Sequence, residues 1–534
     1  MRRDFIITLI VVLALIFGFG YFYPFVLWSL AIVVPLSLVG LYDFFQVKHS
    51  IRRNFPLIGH LRYFFELIRP EINQYFVESN TDGAPFSREE RSIVYQRAKR
   101  SMDTLPFGTQ LDVYETGYEW VNHSLHPKHV DPDSLRITIG GPQCKKPYSA
   151  SILNISAMSF GALSKNAVMS LNKGAKIGNF SHNTGEGGLT SYHQQGGDVV
   201  WQIGTGYFGC RTPEGTFCPD QFKEKANSDH VKMIEIKLSQ GAKPGHGGIL
   251  PAAKITPEIA EIRNVPMGQD VLSPPAHSSF STPEGLLEFV QTLRDLTGGK
   301  PIGFKLCIGK RREFISICKA IISTGIYPDY IVVDGGEGGT GAAPLEFSNH
   351  IGTPLVPALV FVHNVLLGFG IRDKIRVISS GKVTAGFEIV KQLCIGADAC
   401  NSARAMMMAL GCIQALRCNN NTCPVGVTTQ NPILVAGLVV SDKKVRVANY
   451  HKETVNSVAE IIGTMGIERT EDLRQWHIMR RTAPNEVKHY GEIYEYLHEG
   501  DLLKDENLPA TFERAYKAAV ADTFEHIEDI SGRH

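Results

Sequence analysis

Three cysteines that lie close together are the first residues whose type and spacing indicate chemistry. Cys412, Cys418 and Cys423 fall within twelve residues, and Pro424 follows the last of them. Thiolates on one loop can ligate an iron–sulfur cluster, and Cys-Pro is common at such sites. Three ligands suit a 3Fe–4S cluster, whereas a zinc site would need a fourth ligand. Three unrelated buried cysteines are the alternative.

Two glycine-rich loops are typical of a backbone that approaches a ligand closely. Residues 335–341 read Gly-Gly-Glu-Gly-Gly-Thr-Gly and directly follow an apolar run, and residues 183–188 read Asn-Thr-Gly-Glu-Gly-Gly. Backbone N–H groups in such loops can wrap a flat or anionic ligand, although tight turns need glycine as well. The candidate ligand-binding residues of the first loop are Gly335, Gly336, Gly338 and Gly339.

Basic residues of two segments could meet a substrate. Lys243 follows Gln240 in a loop, and Arg263 comes twenty residues later. A lysine and an arginine that converge could hold a dicarboxylate; a solvated helix charge is the alternative for Arg263. Lys305 ends the apolar run 302–304, and a buried lysine is costly unless it is paired with negative charge. That charge could be a reduced flavin or a structural carboxylate.

The elements that must position these residues alternate between short apolar runs and helical stretches. The predicted strands are residues 153–158, 180–184, 200–204, 233–238, 301–306, 330–333, 376–379 and 398–401. Eight βα units predict a (β/α)₈ TIM barrel, with residues 270–272 in an insertion after the fourth strand. A doubly wound sheet is less favoured because no G-x-G-x-x-G follows the first strand. Gly381 and Gly396 belong to the seventh and eighth units, where barrels commonly bind phosphate.

The N-terminus predicts a membrane anchor. Residues 5–42 carry no charge and are long enough for two spans of roughly 20 residues, with Pro24 near the turn. Arg2 and Arg3 precede the run and Lys48 follows it, so both flanks are expected on the cytoplasmic side. This predicts a two-pass protein of the cytoplasmic membrane whose catalytic domain faces the cytoplasm. A signal peptide and a buried hairpin are the alternatives.

Composition and pattern set the remaining boundaries. We predict a transmembrane hairpin at 1–45, a helical and irregular extension at 46–134, the barrel at 135–444 and a helical extension at 445–534.

Lys and Arg number 54 against 53 Asp and Glu, and this balance argues against a nucleic-acid partner. Ten cysteines in 534 residues are too sparse for a disulfide scaffold and suit a reducing compartment.

Five motifs in order resemble the FMN-binding synthase domain of glutamate synthase over residues 151–432. They are Ser-Ala-Met-Ser-Phe-Gly-Ala-Leu-Ser from 156, Thr-Gly-Glu-Gly-Gly, Gln-Gly-Ala-Lys-Pro-Gly, Asp-Gly-Gly-Glu-Gly-Gly-Thr-Gly, and the cysteine run ending Cys-Pro-Val-Gly-Val. The resemblance implies a barrel with FMN and a 3Fe–4S cluster. It assigns Cys412, Cys418 and Cys423 to the cluster, Ser159 and Lys305 to the flavin, Gln240, Lys243 and Arg263 to 2-oxoglutarate, and Glu186 to the ammonia entry.

The sequence departs from that family in four places. Full glutamate synthases begin with a glutaminase domain that has an N-terminal cysteine, whereas the first cysteine here is Cys144, so glutamine hydrolysis is not expected. The large C-terminal β-helical domain is also missing. Lys-Pro-Gly is followed by His246 instead of glutamate, and residues 274–279 read Pro-Pro-Ala-His-Ser-Ser instead of Pro-Pro-Pro-His-His-Asp.

The expected reaction is the reduction of 2-iminoglutarate, formed from 2-oxoglutarate and ammonia, to L-glutamate. Electrons would enter through the cluster and pass to FMN, and the donor would be a protein such as a ferredoxin or a reductase subunit, since no nicotinamide fingerprint is present. One alternative is flavin oxidation of a 2-hydroxy acid, with His246 or His277 as the catalytic histidine. Another is a membrane-tethered redox carrier or sensor with a vestigial pocket.

Overall fold

The computed structural model describes residues 2–101, 104–504 and 508–525. The chain divides into two compact units, one up to Arg88 and one from Glu89 onwards.

The N-terminal unit is helical. Its helices are α1 (Arg2–Phe22), α2 (Leu30–Phe45), α3 (Ser50–Asn54) and α4 (Gly59–Ile72), with a 3₁₀ turn at Pro24–Ser29 and a π turn at Asn73–Val77. The segments Arg2–Phe22 and Pro24–Phe45 are long and apolar enough to cross a membrane. The helical hairpin expected from the apolar run is therefore present.

The second unit is built around a closed parallel barrel of eight strands, as predicted. Its strands, in chain order, are β4 (Leu153–Ile155), β5 (Ser181–Asn183), β6 (Asp198–Ile203), β7 (Val231–Lys237), β10 (Ile302–Leu306), β11 (Tyr330–Asp334), β12 (Arg376–Ser380) and β13 (Ala399–Ser402). Cys400 of β13 pairs with Leu153 of β4, which closes the barrel.

Helices surround this barrel. They are α5 (Arg88–Lys99), α6 (Lys165–Gly178), α7 (Pro219–Ala226), α8 (Pro257–Arg263), α9 (Pro283–Leu296), α10 (Arg311–Thr324), α11 (Leu345–His350), α12 (Leu355–Gly368), α13 (Gly386–Cys394), α14 (Arg404–Leu410), α15 (Pro432–Ala436), α16 (Val440–Thr464), α17 (Tyr490–Ile493) and α18 (Ala510–Lys517). The second βα unit of the barrel differs from the prediction of a helix after each strand, because only a 3₁₀ turn, Ser191–His193, lies between β5 and β6.

Alternation along each strand places polar side chains among the apolar ones inside the barrel. Ile234 and Ile236 of β7 are fully buried, whereas Glu235 lines an internal cavity together with Asn154 and Asn401. Because successive side chains point to opposite faces of a strand, the isoleucines face the helices and Glu235 points inward. Inward-facing polar side chains at the carboxyl ends of the strands therefore lie at the mouth of the barrel.

Three small sheets accompany the barrel. The hairpin β2 (Arg136–Ile139) and β3 (Tyr148–Ser151) precedes it, and Ile139 lines the same internal cavity. After the fourth barrel strand, β8 (Ile249–Leu250) pairs with β9 (Val271–Leu272), which confirms the predicted insertion. The third sheet joins β1 (Glu119–Val121) to β14 (Ile478–Ala483) and β15 (Glu486–His489).

The third sheet corrects the interpretation of residues 445–534 as helical. Strand β14 contains Arg480 and Arg481, and β15 contains Lys488, so neither strand shows the apolar alternation of a half-buried strand. Pairing with β1, far away in the sequence, decides their structure instead. The long helix α16 also begins at Val440, before the predicted boundary.

Candidate active site

An ion pair at the carboxyl ends of two barrel strands is the centre of the site. Glu186 follows β5, Lys237 ends β7, and Lys237 Nζ lies 2.7 Å from Glu186 Oε1. Burial alone would raise the pKa of Glu186, but the charge of Lys237, supported by Arg263 and Lys243, lowers it below its ordinary value. The sequence analysis did not single out Lys237, although it ends an apolar strand in the same way as Lys305.

Lys243 contributes a second buried ammonium group to this site. Its Nζ donates a 2.7 Å hydrogen bond to the carbonyl oxygen of Ala342. Burial, together with repulsion from Lys237, lowers the pKa of Lys243 to about 8, and attraction to Glu186 only partly offsets this. Gln240, which was expected to bind the same ligand, is half-buried in the same loop.

Arg263 ends helix α8 and turns its guanidinium back towards the barrel. It donates 2.9 Å to the carbonyl oxygen of Phe160 and 3.4 Å to Ser159 Oγ, and it lies over the ring of Phe208. Burial lowers the pKa of Arg263 to about 10, partly offset by Glu186. The solvated alternative is therefore wrong, because the side chain is buried.

These four residues leave a surplus of positive charge. Lys237, Lys243 and Arg263 are all buried, and Glu186 is the carboxylate whose charge bears on the pKa of both Lys243 and Arg263. A buried charge is costly unless it is compensated. The arrangement therefore favours an anion that carries about two negative charges.

Lys305 is paired with a structural carboxylate. Its Nζ lies 3.2 Å from Asp334 Oδ2 at the end of β11, and the same oxygen accepts the N–H of Gly241 at 2.9 Å. Burial would lower the pKa of Lys305, but Asp334 and Glu235 more than offset this and raise it. Asp334 thus joins Lys305 to the loop that carries Lys243.

Glu235 lies below these residues inside the barrel. Its Oε1 accepts hydrogen bonds from Asn183 Nδ2 at 3.0 Å and from Gln202 Nε2 at 2.6 Å. Burial raises the pKa of Glu235, although Lys305 and the two amides oppose the shift. Glu235 was not predicted from the sequence, because Lys232 and Lys237 in the same strand are charged as well.

The loop after β11 needs glycine because its own neighbours crowd it. A Cβ on Gly241 would lie 1.8 Å from the carbonyl oxygen of Gly335, one on Gly336 would lie 2.8 Å from that of Gly352, and one on Gly338 would lie 3.0 Å from that of Gly335. Gly339 packs against Arg404. The loop is therefore folded tightly onto the ends of the barrel strands.

The two glycines expected at a phosphate site differ in position. Gly381 follows β12 with a positive φ, and the nearest atom to a Cβ there would be 3.4 Å away. Gly396 precedes β13 and packs against His363, so it lies at the amino end of the barrel and its assignment to a cofactor is wrong. At the carboxyl end, the eighth unit instead places Arg404, which donates 2.7 Å to the carbonyl oxygen of Glu337.

The cysteine loop has one thiol in a distinctive environment. Burial would raise the pKa of Cys423, but hydrogen bonds from Thr428 and from the backbone of Val425 and Val427 lower it. Burial raises the pKa of Cys412, and the charges of Cys418 and Cys423 raise it further. Over the residues that the structure describes, however, no group of three or more Cys, His, Asp or Glu side chains is arranged to hold a metal ion.

The two histidines considered for 2-hydroxy-acid oxidation bind the protein itself. His277 Nε2 donates 2.9 Å to the carbonyl oxygen of Lys237, and its Nδ1 accepts from the hydroxyl of Tyr207 at 3.1 Å. Burial lowers the pKa of His277 to about 4. His246 Nδ1 lies 3.0 Å from the carbonyl oxygen of Gly247. The ring nitrogens of His277 are therefore both engaged, and neither is a free base.

Comparison with known proteins decides the family. Residues 119–468 match the family model described as a conserved region in glutamate synthase. The chain belongs to this family. It is 36% identical to the glutamate synthase large subunit-like protein YerD of Bacillus subtilis, over 85% of this chain and 95% of that protein. It is 34% identical to the archaeal glutamate synthase (NADPH) of Methanocaldococcus jannaschii, over 67% of this chain and 66% of that enzyme.

The family membership makes the protein an oxidoreductase of the glutamate synthase type. The match to the large chain of Bacillus subtilis glutamate synthase (NADPH) is 31% identical and covers 59% of this chain but only 20% of that subunit. The chain thus spans nearly all of YerD, about two thirds of the archaeal enzyme and a fifth of the large chain.

Proposed function

We propose that the protein reduces 2-iminoglutarate, formed from 2-oxoglutarate and ammonia, to L-glutamate. The observation that carries the proposal is the surplus of buried positive charge around Glu186, where Lys237, Lys243 and Arg263 face one carboxylate. A dicarboxylate compensates this surplus, and the guanidinium of Arg263 can bind one carboxylate in bidentate fashion. Gln240 adds an amide within the same loop.

Lys237 and Glu186 supply the proton chemistry in this proposal. The product nitrogen must gain a proton when the C=N bond is reduced, and Lys237 Nζ is the buried N–H donor held at 2.7 Å by Glu186. Lys237 occupies Oε1 of Glu186, so the second carboxylate oxygen is the one that would meet ammonia.

The mouth of the barrel fits FMN. Ser156 Oγ and Ser380 Oγ lie 3.4 Å apart at the ends of β4 and β12, the strands on either side of β13. A Cβ on Gly381, which follows Ser380, would meet no atom closer than 3.4 Å. Hydroxyls and side-chain-free backbone are suited to a phosphate, and Lys305 provides positive charge near a flavin ring. When bound, FMN supplies the reducing equivalents.

We further propose that Cys412, Cys418 and Cys423 hold a 3Fe–4S cluster. The N–H groups around Cys423 favour its thiolate, which is the form that ligates iron. Since the described residues do not arrange the three thiols around one point, no step of the reaction is derived through the cluster. Iron and sulfide analysis of the purified protein, with Cys418→Ser as the variant, tests the assignment.

The remaining proposals concern partners and location. The electron donor is a ferredoxin or a reductase subunit. The two apolar segments anchor the protein in the cytoplasmic membrane, with both ends of the hairpin and the catalytic unit on the cytoplasmic side, since Arg2, Arg3 and Lys48 flank the hairpin.

An anaerobic half-reaction tests the function. The protein is purified in detergent, reduced chemically, and given 2-oxoglutarate with and without ammonium while the flavin spectrum is recorded. Reoxidation that requires both additions, with glutamate as the product, is the expected result. Arg263→Gln should weaken the response to 2-oxoglutarate at least tenfold. A reduced flavin that is indifferent to both additions would refute the proposal.

A further inference from the structure

Helix α4 presents an apolar face to solvent. Leu61, Phe64 and Phe65 are 53%, 52% and 58% exposed, and Ile72 is 40% exposed on the same face. These positions recur with helical spacing, and Arg62 and Glu66 lie on the other side of α4, where Leu67 is also exposed. Large apolar side chains that cluster on an exposed surface indicate an interaction site.

The start of this helix is tied to the end of the second apolar segment. Asp43 lies in the last turn of α2 and is fully buried. Its carboxylate accepts the N–H of Leu57 at 3.1 Å and hydrogen-bonds to His60 Nε2 at 2.8 Å. Gly59 packs against the backbone of Arg52, where a Cβ would lie 2.9 Å from Cα. The first turn of α4 is therefore held at the level where α2 ends.

Charge points to one kind of partner. Between residues 46 and 77 the basic residues are Lys48, Arg52, Arg53, Arg62 and Arg69, and the acidic residues are Glu66 and Glu71. This surplus of positive charge favours an anionic surface, as at the cytoplasmic face of a membrane. A helix that combines an apolar face with basic flanks is typical of one that lies in the membrane interface.

We propose that α4 lies in the membrane interface on the cytoplasmic side, with Leu61, Phe64, Phe65 and Ile72 in the boundary between lipid headgroups and acyl chains. This inference rests on the proposed membrane anchor and is independent of the proposed reaction. The hairpin crosses the bilayer, and α4 fixes the height at which the chain leaves it. The hydrogen bond between Asp43 and His60 fixes the position along the chain from which α4 runs parallel to the membrane surface.

Fluorescence quenching by lipid tests this placement in the full-length protein. Phe65→Trp places an indole on the apolar face and Glu66→Trp places one on the polar face; both positions are exposed, so folding should be unaffected. Each variant is reconstituted into phosphatidylcholine–phosphatidylglycerol vesicles whose acyl chains are brominated at carbons 6 and 7. The emission of the unsubstituted protein, which has four tryptophans, is subtracted.

The expected result is that the emission added by Phe65→Trp is quenched at least threefold more than that added by Glu66→Trp. Equal quenching of the two, or no quenching of either, would overturn the proposal, and so would a blue-shifted but unquenched indole that indicates burial against protein. The emission that is lost in the variant Trp28→Phe belongs to Trp28, and its quenching reports whether the hairpin itself is inserted in the bilayer. If Trp28 is not quenched, the anchor and the α4 proposal both fail, while the half-reaction measured in detergent is unaffected.

Discussion

The charge of Lys243 should make the affinity for 2-oxoglutarate depend on pH. Burial and Lys237 lower the pKa of Lys243 to about 8, from an ordinary value of about 10.4. At pH 7 the side chain is charged, and at pH 9 the charged fraction falls to about a tenth. If only the charged form binds the dianion, the apparent Kd rises about tenfold between these two values, which is about 1.4 kcal/mol.

The measurement is equilibrium binding of 2-oxoglutarate to the oxidised protein between pH 6.5 and 9.5. Ammonium is left out, because its own titration would otherwise add to the profile. Lys243→Arg is the matched control, since guanidinium stays charged over this range and its binding profile should be flat. Lys243→Gln should bind weakly at every pH.

Two results would refute this reasoning. One is an affinity of the unsubstituted protein that does not change between pH 7 and 9. The other is a Lys243→Arg variant with the same loss of affinity as the unsubstituted protein, because the titrating group would then lie elsewhere.

Two further predictions concern folding and cofactor retention. His182 is fully buried, both of its ring nitrogens lack a hydrogen-bond partner in the described structure, and burial lowers its pKa to about 3. The unfolded chain therefore binds the proton more readily, so the free energy of unfolding falls as the pH drops below about 6.5, by about 2 kcal/mol at pH 5. Urea unfolding of His182→Phe should lack this part of the loss. If His182→Phe loses as much stability between pH 7.5 and pH 5 as the unsubstituted protein does, the prediction is wrong. Gly241→Ala would place a Cβ 1.8 Å from the carbonyl oxygen of Gly335, so this variant should retain less than a tenth of the FMN. The control is Gly341→Ala, whose Cβ would meet nothing within 4 Å and which should retain all of the FMN. Equal flavin content in the two purified variants would contradict the prediction.

The barrel could be predicted from the sequence because two features indicate its strands. Most are short apolar runs, as at residues 330–333, and most end in glycine-rich loops, as at 335–341. The position of Lys305 at the mouth followed from the same pattern. Burial of Arg263 did not, because a helix of seven residues shows no periodicity that separates a buried arginine from a solvated one.

The rest depended on contacts between distant segments. Lys237 has the same position at a strand end as Lys305, but its role is apparent only from its contact with Glu186, which follows a different strand. Gly396 was placed at the wrong end of the barrel because a glycine before a strand and a glycine after it look alike in composition. The charged strands β14 and β15 have a sequence typical of a surface segment, and only their partner β1 makes them a sheet.

Strand β1 has a consequence for the order of events during synthesis. Glu119 of β1 receives hydrogen bonds from Lys391 and Tyr490, and β1 pairs with residues 478–480. At translation rates of 5–20 residues per second, β14 and Tyr490 reach the folding chain roughly 20 to 70 s after β1 does. Until then, β1 lacks its partner strand, although Lys391 is already present to meet Glu119. A ribosome that stalls late in the message should therefore release a chain whose barrel strands are complete but whose first strand is open to proteases.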